Sequence, residues 1–250
     1  MTNAEAIHKH VGERSGERAA SLWRLYQSYG RKDEVLAGKY LDIGAGNLEN
    51  AALFSRELRI KDAVGVDIRK SIVKKREIMT IRADALNLPF RSQSFHVVSM
   101  FSLVEHVSDH RRCLSEAMRV RKQNGDLVIQ FPNRYFPIEL HSGLPLLFYL
   151  PRRVRNWFAR ICGYDRMREI DIPSVGKVIT HLLQLEPQCQ LRRTGFFYRE
   201  TLIPSSILRR VHRILRWAGI FRILPMGYFL VVSSGDPHLD KLSVQEIPNQ

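Results

Sequence analysis

From Lys39 onward, short apolar runs and amphipathic stretches take turns along the chain. Tyr40, Leu41 and Ile43 belong to a first run, Lys39–Ile43, and helical spacing follows from Asn47 to Leu58. A second run, Ala63–Val66, ends in Asp67; Ser71–Glu77 reads as a short helix, and Ile78–Arg82 as a third run ending at Ala83-Asp84. Phe95–Phe101 is a fourth, Asp109–Arg121 a helix, Asn124-Gly125 a turn and Asp126–Phe131 a fifth run. Upstream, Glu13–Gly30 spaces Leu22, Trp23, Leu25, Tyr26 and Tyr29 as an amphipathic helix that stops at Gly30. Late in the chain, Gln190–Phe197 and Gly227–Ser233 read as two more strands. Strands alternating with helices over short connections predict an α/β protein, its parallel sheet covered by helices on both faces.

In such a sheet ligands bind beyond the carboxyl ends of the strands, so the residues just after each run carry the information. The first run ends in Gly44-Ala45-Gly46, a glycine turn that lets a ligand lie against the backbone. The N–H groups of the following helix start then face that ligand. Asp67, twenty-one residues after Gly46, can accept both hydroxyls of a ribose or cap the next helix. Asp84 can accept from an exocyclic amine or close an Asx turn.

Composition narrows the partners. The chain has 250 residues and a net charge of +14, which favours nucleic acid, phosphorylated substrates or an acidic membrane face. Between Pro151 and Pro225 there are fifteen Lys/Arg against five Asp/Glu, so most of the surplus lies outside the glycine-turn half. Cys113, Cys162 and Cys189 have no metal-type spacing; no metal is expected, and reduced thiols in a cytoplasmic compartment are. The first residues hold no apolar signal-like core, and no run approaches the ~18 residues of a membrane span.

L-D-I-G-A-G, V-G-V-D-I, A-D-A-L-N-L-P-F, F-H-V-V-S-M-F-S-L-V-E-H-V-S-D and R-V-R-K-Q-N-G-D-L-V-I, in this order, resemble class I S-adenosylmethionine-dependent methyltransferases of the type 11 kind. The resemblance spans about residues 38–132. It implies a Rossmann-like, seven-stranded, mostly parallel sheet with S-adenosyl-L-methionine as cofactor. It implies that Gly44, Ala45 and Gly46 pass the methionine part, with Asp42 near the amino-acid moiety. Asp67 and Ile68 would hold the ribose side, Asp84 and Ala85 the adenine, and Phe101 and Ser102 would line the pocket. Leu48 departs from the family's third glycine, and His96 from its usual Asp. A dehydrogenase would need G-x-G-x-x-G, whereas the chain reads G-A-G-N-L-E, and Glu49 would repel a pyrophosphate.

Methyl transfer to a hydroxyl calls for a base. His106, just after the fourth strand, is one candidate; its plainer role is a polar helix start. Glu139 and His141 alternate in the proline-bearing segment after the fifth strand, so an extended backbone puts both on one side. They could equally be a surface pair that holds that segment shut. The basic segments Arg152–Ile161 and Ser205–Leu224 admit three readings: a helix with its apolar face on the core, an interfacial helix on an anionic leaflet, or RNA binding. No N/D-P-P-Y/F tetrapeptide of base-amine enzymes follows the fourth strand, and no Pro-Cys site is present. The expected acceptor is therefore a small molecule, sugar or lipid-linked glycan methylated at a hydroxyl; RNA ribose methylation and a non-catalytic cofactor-binding scaffold are the alternatives. The expected division is a helical cap (1–37), a cofactor-binding core (38–135), a substrate loop and basic helical insertion with strand six (136–225), and a last strand and tail (226–250). The expected location is the cytoplasm, with peripheral contact at the inner membrane face. Nothing in the sequence sets the oligomeric state.

Overall fold

The computed structural model describes residues 3–29, 38–69, 75, 77–137, 146–161, 170–196, 210, 213–214, 217, 224–234 and 245–246. For 3–15, 159 and 245–246 only the backbone course is described. The strands are β1 (Lys39–Ile43), β2 (Asp62–Asp67), β3 (Met79–Arg82), β4 (Phe95–Phe101), β5 (Arg121–Pro132), β6 (Gln190–Phe196), β7 (Gly227–Ser233) and the two-residue β8 (Gln245–Glu246). The helices are α1 (Asn3–Tyr29), α2 (Glu49–Glu57), α3 (His110–Val120), α4 (Arg152–Ile161) and α5 (Val175–Leu185). One sheet contains every strand, in the order β3-β2-β1-β4-β5-β7-β6-β8. The pairs from β3 to β5 are parallel, and β7 runs antiparallel between β5 and β6. The seven-stranded Rossmann-like sheet expected from the sequence is present, with β8 added beside β6.

Side-chain alternation divides the core into two layers. Leu41, Ile43, Val98, Met100, Leu127 and Ile129 face Leu114, Ala117 and Val120 of α3 and Val178 and Leu182 of α5. Tyr40, Val97, Val128, Phe229 and Val231 face Leu22 and Tyr26 of α1 and Ala51 and Phe54 of α2. Leu22 and Tyr26 stand four residues apart on one stripe of α1. The Tyr26 hydroxyl donates to the buried Asp126 Oδ2 at 2.8 Å, and Ser233 Oγ donates to its Oδ1 at 2.6 Å. The helix is thereby pinned across β5 and β7. Because β7 sits between β5 and β6, the last expected strand is built into the sheet.

Some elements differ from expectation. The Asn124-Gly125 turn lies inside β5, where pairing jumps from Phe95↔Arg121 to Val97↔Asp126. The strand bulges around these residues, and a Cβ on Gly125 would lie 2.4 Å from the His96 carbonyl oxygen. The Ser71–Glu77 helix falls mostly outside the described residues, and Lys75 forms an antiparallel bridge to Ile78. No expected element covers α5. Its sequence, V-G-K-V-I-T-H-L-L-Q-L, spaces Val175, Val178, Ile179, Leu182 and Leu183 at i, i+3, i+4, i+7 and i+8, a helical signal present in the sequence that the expected elements missed. Ser205–Leu224 lies almost wholly outside the described residues.

Candidate active site

The order of the sheet reverses between β1 and β4, and the loops leaving these neighbours open a crevice. Gly44 and Gly46 both have positive φ, 75° and 55°, where a side chain would be strained. The turn is strapped to the end of β2: Gly44 and Ala45 N–H donate to the Val66 carbonyl at 2.7 and 2.9 Å, and Gly46 N–H donates to Asp67 Oδ2 at 3.0 Å. The glycine turn and the expected ribose carboxylate therefore form one unit. Arg69 closes over that carboxylate, its N–H and Nε donating to Oδ1, each at 3.0 Å, and its Nη2 to Oδ2 at 2.9 Å. Partial burial would raise the Asp67 carboxyl, but the hydrogen bonds from Arg69 and Gly46 outweigh it and hold it below the usual range. Ile68, next along, is exposed.

Asp42 lies under the turn, fully buried. Its Oδ1 accepts from Ser99 Oγ at 2.6 Å, and Ser99 Oγ also meets the Tyr40 hydroxyl at 2.7 Å. Its Oδ2 is buried and without a partner among the described residues. Burial pushes the carboxyl up to about 7, against the pull of the Ser99 bond and the Arg18 charge.

Asp84 uses Oδ1 to accept from Leu86 N–H at 2.9 Å, an Asx turn that shapes the loop carrying Ala85. That loop is held from beneath. Buried Glu116 accepts from Leu88 N–H, and Arg119, paired to Glu116, donates to the Leu88 and Phe90 carbonyls. Phe101 turns its ring into the core, 5.2 Å from the Phe54 ring, and so gives the crevice its backbone. Ser102 takes φ 49°, and its N–H donates to the Gln130 carbonyl at 2.8 Å.

Arg18 joins this group from α1. Its Nη2 donates to Ser102 Oγ at 2.6 Å and to Gln130 Oε1 at 2.9 Å. The sequence held a signal for it: Arg18 precedes Leu22 and Tyr26 by four and eight residues, placing a cation on the buried stripe of the helix. Arg69 offered no such sign. His106 is exposed in a 3-10 turn, Val104–His106, directly beyond β4. Glu139 and His141 lie outside the described residues. Among the described residues no cluster of His, Cys, Asp and Glu could hold a metal ion.

These residues fit a zwitterionic nucleoside. Two left-handed glycines clear its path, a carboxylate waits at each of two strand ends, and an orphaned buried oxygen on Asp42 suits an ammonium group. The family described as a methyltransferase domain matches residues 41–129.

Residues 41–129 form a methyltransferase domain of the class I fold.

This methyltransferase domain is 34% identical over 101 residues to demethylmenaquinone methyltransferase of Thermotoga maritima, covering 38% of this chain and 44% of that protein. It is 31% identical over 106 residues to an uncharacterised protein of Methanocaldococcus jannaschii, covering 41% and 49%. The chain spans about half the length of the curated relatives it matches. In fold it is similar to phosphoethanolamine N-methyltransferase 2 of Haemonchus contortus, solved with S-adenosyl-L-methionine. The TM-score is 0.58 at 14% identity over 87% of this chain and 53% of that one. Leu48 shows how the methyltransferase domain does without a third glycine. It takes φ 65° itself, caps α2 and is wholly buried.

Proposed function

We propose that the chain is an S-adenosyl-L-methionine-dependent methyltransferase whose acceptor is a hydroxyl on a small molecule, sugar or lipid-linked glycan. The observation that carries the cofactor reading is the Gly44–Gly46 turn hydrogen-bonded to Asp67 across two strand ends, with Asp42 buried beneath it. The bound cofactor supplies an activated methyl group on a sulfonium. Asp67 would accept the ribose hydroxyls once Arg69 moves aside, and Asp42 would take the ammonium. Arg18, beside Ser102 and Gln130, is placed for the carboxylate of the methionine part. The Asx-turn loop at Asp84 and Ala85 would receive the adenine.

For in-line transfer the chain must chiefly align the acceptor and remove its proton. His106, exposed beyond β4, would take that proton; Glu139 and His141 remain the paired candidates from the segment after β5. The matched relative named for demethylmenaquinone and the structural neighbour named for phosphoethanolamine both carry names of small acceptors, which supports a small acceptor over RNA. The outer face of α4 supports a seat on an anionic leaflet, since Val154, Trp157 and Ile161 stand exposed among Arg152, Arg153 and Arg160. Among the described residues no helix is long and apolar enough to cross a membrane.

Calorimetry with S-adenosylhomocysteine should find one site. Tritiated methyl donor, added with fractionated cell extract, should label the polar small-molecule or lipid fraction. Cofactor binding without label in any fraction would favour the scaffold alternative, and label confined to RNA would replace the acceptor.

A further inference from the structure

A cavity of about 650 Å³ opens where α3 and α5 begin, and Arg111, Arg134, Gly176, Lys177 and His181 are in its wall. Asp109 caps α3 by accepting from Arg112 N–H, and Ser174 caps α5 by accepting from Lys177 N–H. The positive ends of two eleven-residue helices therefore meet at one space. Two carboxylates share the wall, but Asp109 is engaged in its cap and Asp171 lies within the field of Arg155. The three cations set the sign.

His181 adds a second, independent sign of a ligand. It is 8% exposed, with Nε2 at 3.1 Å from the Arg111 carbonyl oxygen and 3.3 Å from Ser115 Oγ. A carbonyl only accepts, so Nε2 carries the hydrogen; in the neutral ring Nδ1 is then the acceptor. That Nδ1 is buried with no partner among the described residues. The cavity belongs to the working edge of the sheet. Asp171 N–H, in its wall, donates to the Glu105 carbonyl at 2.9 Å, just beyond β4, and Arg134 stands two residues past β5.

We propose that this cavity is the acceptor site and takes a phosphorylated sugar or polyol. The phosphate lies against Arg111, Arg134, Lys177 and the two helix starts, where charge-assisted hydrogen bonds are available. A hydroxyl of the same molecule donates to His181 Nδ1. This rests on the methyltransferase reading above and names its substrate class. The same phosphate chemistry can arrive on a soluble sugar phosphate or on a lipid headgroup.

The test is calorimetry on the full chain saturated with S-adenosylhomocysteine, titrated with glucose 6-phosphate, with glucose, and with vesicles carrying phosphatidylinositol 4-phosphate. Glucose 6-phosphate should bind, and glucose should bind at least about tenfold more weakly. The double variant Arg134→Ala/Lys177→Ala should lose about tenfold in phosphate affinity with S-adenosylhomocysteine binding unchanged. Gly176→Phe should abolish phosphate binding, because a Cβ there meets nothing within 4 Å and the ring has free space to fill. Binding to the vesicles alone, lost in both variants, would assign the phosphate to a lipid headgroup and keep the proposal. Binding to neither, or equal binding by parent and variants, would overturn it. A parent chain that fails to bind S-adenosylhomocysteine would instead sink the methyltransferase reading.

Discussion

Around β1, β4 and β5 the apolar side chains are covered and the polar ones are mostly paired, whereas α4 does the reverse. Arg155 is turned inward there, its guanidinium 4.8 Å from the Phe148 ring, while Val154, Trp157 and Ile161 are 44%, 63% and 64% exposed. The three occupy one stripe at i, i+3 and i+7. Among the described apolar side chains on α4, Phe158 turns toward the small cluster of Leu147, Ile170 and Ile172. Of the three readings of α4, an apolar face on the core fits least: Phe158 and Arg155 turn inward, and Val154, Trp157 and Ile161 are left outside. A closed surface specifies a fold, and an apolar stripe left open among arginines leaves area for a partner to cover.

The sharpest test of the closed half uses Asp42. Its folded carboxyl is raised to about 7 from an ordinary 3.8, so folding favours the protonated form. The stability this contributes is full below the unfolded value and is lost as pH rises through the folded one. Denaturant unfolding at pH 5 and pH 9 should therefore show a loss of roughly 3 kcal/mol from this group, and Asp42→Asn should flatten the slope. An unchanged slope in the variant would mean that Asp42 is not the buried acid.

Asp67→Ala should weaken S-adenosylhomocysteine by about 100-fold in calorimetry, the loss of two charge-assisted hydrogen bonds at roughly 3 kcal/mol together. A loss under about threefold would remove Asp67 from the ribose site. Turning to the open half, Trp157→Ala should lower sedimentation with anionic vesicles about tenfold and leave cofactor affinity alone. If the variant binds vesicles as the parent does, the exposed stripe faces something other than lipid.

The smallest effect has the opposite sign. Arg69 occupies the Asp67 oxygens that a ribose would use. Arg69→Ala should raise S-adenosylhomocysteine affinity by about threefold, since a smaller share of molecules must first open. A weaker variant would show that Arg69 contacts the cofactor.

The strand ends were legible because glycine and aspartate leave marks that apolar periodicity cannot hide. Gly44, Gly46, Asp67 and Asp84 stood at successive breaks in the pattern, and the structure brings Gly46 and Asp67 into direct contact. Arg18 was hidden because a cation on an apolar stripe reads as an interruption until the facing strand is known. Arg69 was hidden because its partner is two residues away, a distance at which sequence reading expects a cap. The acidic and basic anchors of the Asp84 loop, Glu116 and Arg119, come from α3, about thirty residues later, and only the packing of that helix reveals them.

Leu48 couples its own position in the turn to Gly65 on β2. A Cβ on Gly65 would come within 2.6 Å of Leu48 Cδ2 and 3.0 Å of Ala45 Cβ, so the buried leucine in the turn and the glycine on β2 fit only as a pair. Leu48→Gly would relieve its left-handed backbone but leave a void, and Gly65→Ala alone would clash. Made together, the small side chain at 65 enters the space the leucine vacates, and the two losses should not add.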